Sequence, residues 1–130
     1  MSQKLIALVA WISVAILAYA TLTQVGFVYS IYFRLAPFLR VDMKTYAHFE
    51  HVIAFAILGA IFVFAYPKRI YFVCGVVFLS AVVLEYLQTL TPDRHGTAID
   101  AFEKIVGGAV GIFAAHAIRS YARRSGRLQN

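Results

Sequence analysis

The side chains of this chain that could do chemistry are few, and their positions are telling. Of six acidic residues, Glu50, Glu85, Asp93, Asp100 and Glu103 lie in or beside long apolar stretches. A carboxylate in or at the edge of a bilayer is costly unless paired or wet, so it marks a functional site by default. Glu85 and Gln88 are three residues apart and share a helix face. Asp100, Glu103, Lys104, Gly107, Gly108 and Gly111 also follow the spacing of one helix face. Gly107 and Gly111, extended by Ala115, form a small-residue stripe that lets helix backbones approach closely. The polar residues continue this stripe outward, which directs them into a helix bundle and predicts that Glu85 meets Lys104 or Arg94 across helices. The candidate ligand-binding residues are therefore Glu50, His51, Glu85, Gln88, Arg94, Asp100 and Lys104. Glu85 is the candidate acid or base, and Gly107, Gly108 and Gly111 are packing residues.

Plainer roles exist for most of these. Thr97-Ala98-Ile99-Asp100 fits a capping box, and Asp100 with Lys104 is a favourable acid-first helical ion pair. Glu50 and His51 fit the headgroup layer, and a buried structural ion pair would also account for Glu85. His48, His51 and His95, with Asp93 and Asp100 on the same side, are residue types that zinc accepts. Their spacing matches no metal motif, so neither a metal nor a cofactor is expected. There is no Ser-His-Asp order, glycine-rich phosphate loop or dinucleotide fingerprint. Cys74 is alone in an apolar run, which removes any disulfide framework. His116, near the inner end of the last apolar stretch, reads as an interface residue.

The elements that must position these residues are membrane spans. The chain is 62% hydrophobic and 14% charged, where a soluble domain is about half apolar and about a quarter charged. Four apolar stretches cover roughly residues 5–22, 47–66, 70–90 and 98–120, each near the roughly 20 residues that cross a bilayer as a helix. Backbone groups in lipid must be satisfied within the segment, which selects helices, and barrel strands would alternate in polarity as these stretches do not. The expected fold is all-α, a single domain over residues 1–130 forming an integral membrane bundle of four transmembrane helices. Pro67-Lys68-Arg69 is a tight break that makes spans two and three a hairpin. Thr91 to Thr97 is a turn-rich loop. The longest connection carries Tyr29, Tyr32, Phe33, Arg34, Pro37, Phe38 and Arg40, an aromatic and basic mixture suited to the membrane interface.

Lys4, the first apolar run and Ala18-Tyr19-Ala20 also resemble a secretory signal with a small-residue cleavage site. The run is long for a signal core and aromatics follow it, so a retained helix is expected. With both termini cytoplasmic, Lys4, Lys68, Arg69, Arg119, Arg123, Arg124 and Arg127 lie inside, and Arg34, Arg40, Lys44 and Arg94 outside. This asymmetry obeys the positive-inside rule. It places the start of span two, the end of span three and the start of span four at the extracytoplasmic face. The formal charge of +6 is thus a topology signal at span ends, and nucleic acid is not an expected partner.

Glu50-His51-Val52-Ile53-Ala54-Phe55 with Leu58-Gly59, Glu85-Tyr86-Leu87-Gln88, Thr91-Pro92-Asp93-Arg94, Asp100 and the glycines at 107, 108 and 111 together resemble the VanZ-like family of small bacterial membrane proteins. The similarity covers roughly residues 47–111, and its most specific part is the order E-x-x-Q, P-x-R, D. The chain departs from the family pattern at Ala47, where many members are acidic, and at Lys104, where many have Asn. The resemblance implies a multi-pass protein of the bacterial cell envelope, in a family named for an association with teicoplanin resistance. The expected role is binding or accessory, toward an envelope lipid, a peptidoglycan-related group or a glycopeptide. Arg94 would hold phosphate or carboxylate there, and Glu85, Gln88 and Asp100 would supply hydrogen bonds. The alternatives are a membrane-embedded hydrolase or transferase using Glu85 as acid or base, and a proton-coupled carrier, for which four spans are few without a homo-oligomer. Substrate, oligomeric state and any part in antibiotic resistance are not legible in the chain.

Overall fold

The computed structural model describes residues 2–23, 26–39, 42–91 and 96–127. They form five helices and no strand: α1 (Gln3–Leu22), α2 (Gly26–Leu39), α3 (Met43–Ala65), α4 (Ile70–Thr89) and α5 (Ala98–Arg127). Four of them, α1, α3, α4 and α5, are long and apolar enough to cross a membrane, which makes the chain a multi-pass membrane protein. The helices match the expected spans within a few residues, except that α3 starts earlier and α5 runs on to Arg127. The connection between the first two spans contains α2, a helix of 14 residues with Pro37 in its last turn. A proline there withholds the N–H that would bond the carbonyl four residues back, which weakens the helix close to its end.

Local sequence explains the ends. Ser2 caps α1 by accepting the Leu5 N–H at 3.4 Å. Pro67 cannot extend α3, and the Arg69 N–H closes the turn on the Tyr66 carbonyl at 3.1 Å. Thr97 opens α5, its hydroxyl accepting the Asp100 N–H at 3.1 Å.

Side-chain contacts give the directions of the helices. The Gln3 amide donates to the carbonyls of Phe64, at 2.9 Å, and of Ala65. The start of α1 therefore meets the end of α3, and the two run antiparallel. Gln88 donates to the Thr21 carbonyl at 2.9 Å, bringing the ends of α4 and α1 together. Arg119 donates to the Val63 carbonyl at 3.1 Å and His48 meets Glu103 at 2.8 Å, so α3 and α5 run parallel. The start of α1 and the later part of α5 consequently share one end of the bundle with the α3–α4 turn. The opposite end collects the close of α1, the start of α3, the close of α4 and the start of α5.

The parallel α3–α5 contact depends on absent side chains. A Cβ on Gly107 would overlap the Val52 carbonyl, and one on Gly111 the Ala56 carbonyl. A Cβ on Gly108 would lie 2.6 Å from the Val77 side chain of α4, and one on Gly59 of α3 would lie 2.6 Å from the Gly108 carbonyl. The small residues thus bring α3 and α5 to backbone distance and let the Val77 side chain of α4 lie against the α5 backbone. Around them Phe55, Leu58, Phe62, Val73, Val77, Ala81, Ile112 and Ala115 form the core. Tyr71, Leu79, Val110, Phe113 and other large apolar side chains are exposed on the outside, as a lipid-facing surface requires.

Candidate functional site

On α4 the buried stripe runs Val73, Val77, Ala81, Leu84, Glu85, Gln88. Helical spacing alone carries it from apolar to polar residues without leaving the core-facing side. Glu85 and Gln88 are 5% and 6% exposed, and Lys104 of α5, facing them, is fully buried at 0%. The Lys104 ammonium donates to Glu85 Oε2 and, at 3.2 Å, to Gln88 Oε1. Glu85 Oε1 accepts the Thr97 N–H at 2.7 Å, and the Gln88 amide reaches the Thr21 carbonyl of α1. Both carboxylate oxygens and both ends of the glutamine amide are thereby used. In a buried interior this matters, because an unpaired charge or polar group there is far costlier than one in water.

Glu85 also decides what its neighbours do. Only half of the expected capping box forms, since the Thr97 N–H goes to Glu85 and not to Asp100. Lys104 likewise pairs with Glu85 and not with Asp100. The Asp100 carboxylate turns instead toward α3, where its Oδ1 lies 3.8 Å from His48 Nδ1. Glu103 Oε2 lies 2.8 Å from the same nitrogen. Unlike the buried network, this second cluster is half-open: the His48 side chain is 37% exposed, with Asp100 at 19% and Glu103 at 22%. His51, one turn further along α3, is within electrostatic reach of Lys104, Asp100, Glu85 and Glu103.

Of the residues expected at the site, Glu85, Gln88 and Lys104 form one direct network, and His51 and Asp100 border it. Glu50 is half-buried on α3 and near enough to Tyr46 to act on it electrostatically. Asp93, Arg94 and His95 lie outside the described residues. Of the weak metal candidates, His95 lies outside the described residues, and among the described ones His48 comes together with Asp100 and Glu103, whose ligand atoms all lie within 4.8 Å of one another. Glu103 was the missed member. Its signal was positional: it stands one turn before Gly107, as His48 stands one turn before Val52, and Gly107 meets Val52 at a close backbone contact.

No family model, curated protein or solved structure matches this chain. The similarity to the VanZ-like family therefore rests on the sequence motifs alone.

Proposed function

We propose that this chain is a VanZ-like multi-pass protein of the bacterial cytoplasmic membrane with both termini cytoplasmic. Its polar end, at the extracytoplasmic face, binds an envelope lipid or a peptidoglycan-related ligand in an accessory role. The observation that carries this reading is the pairing of a closed network with an open one at the same end. Glu85, Gln88 and Lys104 form a rigid, satisfied frame, and His48, Asp100 and Glu103 present half-exposed polar atoms above it. Polar groups held by a buried supporting shell are what an oriented binding surface needs. The lysine and arginine distribution supports the orientation. Arg94, which follows α4 in the sequence, is assigned to the anionic group of the ligand.

A hydrolase or a proton carrier using Glu85 has less support. Such a group must reach substrate or water, and Glu85 is buried with both oxygens engaged. The test is native mass spectrometry of gently extracted protein, wild type beside Arg94→Ala. A co-purifying anionic lipid or cell-wall precursor in wild type, lost in the variant at unchanged thermal stability, is the expected result. A wild type that carries no bound species would contradict the binding role and favour a scaffold for partner proteins.

A further inference from the structure

We propose that His48, Asp100 and Glu103 bind one divalent transition-metal ion, of the zinc or manganese class, at the polar end of the α3–α5 contact. The site goes beyond the accessory role above, since the cation would be held with or without an envelope ligand.

Geometry is the first support. Zinc bonds of about 2.0–2.2 Å to imidazole nitrogen and carboxylate oxygen set neighbouring ligand atoms of a tetrahedral site ~3.4 Å apart. Here the distances from His48 Nδ1 are 2.8 Å to Glu103 and 3.8 Å to Asp100, which bracket that value. Rotamer adjustments alone would admit an ion, with His48 Nδ1 exchanging its hydrogen bond to Glu103 for a metal bond. The ligands come from two helices whose relative position is already fixed. His48 and Glu103 each precede by one turn a residue of a close backbone contact, Val52 and Gly107. Little ordering therefore remains to oppose binding.

Charge is the second support. Glu85 takes both local partners that would otherwise occupy Asp100, the Lys104 ammonium and the Thr97 N–H. Asp100 and Glu103 are left converging on one imidazole nitrogen. Even an imidazolium would leave a net negative charge beside an apolar bundle, where a divalent cation is strongly favoured. The donor set then decides the class of ion. Calcium and magnesium prefer oxygen-only shells, whereas one imidazole with carboxylates suits zinc and manganese. Three protein ligands with partial exposure also leave coordination positions open for water or an anionic group.

The experiment uses the full chain without a histidine tag, in detergent micelles, stripped by a chelator and titrated with Zn²⁺ alone or Mn²⁺ alone. Calorimetry and elemental analysis should find one ion per chain. Glu103→Gln and His48→Gln should each weaken binding about tenfold or more, and His116→Ala, at the far end of the bundle, should leave it unchanged. Should either ligand variant fail to fold, the wild type still decides the matter through Co²⁺ absorption. Bands of a low-symmetry nitrogen–oxygen site are expected, and the spectrum of the hydrated ion would overturn the proposal. It is overturned equally by wild-type affinity in both ligand variants, or by no saturable binding in the wild type.

Discussion

The two ends of this bundle solve the same problem in different ways. At the end holding the α3–α4 turn, polar side chains serve the backbone. Gln3 and Arg119 donate to the last carbonyls of α3, at Val63, Phe64 and Ala65, which a helix terminus leaves without partners. Trp11 donates to the Tyr66 hydroxyl at 2.9 Å. At the opposite end Glu85 and Gln88 also reach the backbone, at the Thr97 N–H and the Thr21 carbonyl, but they are joined to each other through Lys104, and two carboxylates are left facing one histidine. Groups spent on capping are structural by necessity. Charges gathered beyond what the backbone needs are where function is to be sought. Within the polar end the same distinction holds between the buried Glu85 network and the half-open His48 cluster.

That contrast can be broken most severely at Lys104. Lys104→Met strands the Glu85 charge in the core, and a loss of about 3–5 kcal/mol is expected in unfolding measured in micelles. Gly111→Leu forces a side chain into the Ala56 carbonyl of α3. It should cost about 1–3 kcal/mol or more and, by displacing α5, also disturb the His48–Glu103 contact, visible as a shift in the His48 ring resonances. Thr97→Ala should cost about 1 kcal/mol through the lost α5 cap, yet leave Glu85 in place because the backbone N–H it accepts remains. At the other end, Gln3→Ala removes a capping amide and should cost about 0.5–1.5 kcal/mol, with ligand and metal binding unaltered. An effect of Gln3→Ala on binding would erase the distinction between the ends.

Much of this arrangement is legible in the sequence because helical spacing is a strict rule. The stripe that passes from Val73 to Gln88, and the one from Asp100 to Gly111, put Glu85 and Lys104 on facing surfaces. Less legible is what depends on competition between partners. Asp100 and Lys104 look like a local ion pair, and Lys104 leaves it because Glu85 lies inside the core, where an unmatched charge is costlier. Glu103 reads as one more polar residue until the parallel packing of α3 and α5 sets His48 beside it. Arg119 reads as a topology signal and turns out to cap α3, since the carbonyl it reaches depends on how α5 lies on α3. The aromatic connection contains α2, whose helical state its mixed composition does not reveal.

In the proposed function Glu85 and Lys104 form a structural frame, and binding belongs to the half-open cluster beside them. A double-mutant cycle with Glu85→Leu, Lys104→Met and the combined variant, read by unfolding in micelles, tests it most directly. Each single change should cause a large loss, and the pair should lose well below their sum, because the apolar pair removes the stranded charge and leaves only the Thr97 N–H and Gln88 Oε1 without partners. The combined variant should still bind ligand and metal, with the metal held more weakly because the Thr97 N–H is then free to take Asp100. Additive destabilisation, or a stable double variant that binds neither, would contradict the account and return Glu85 to the centre of function.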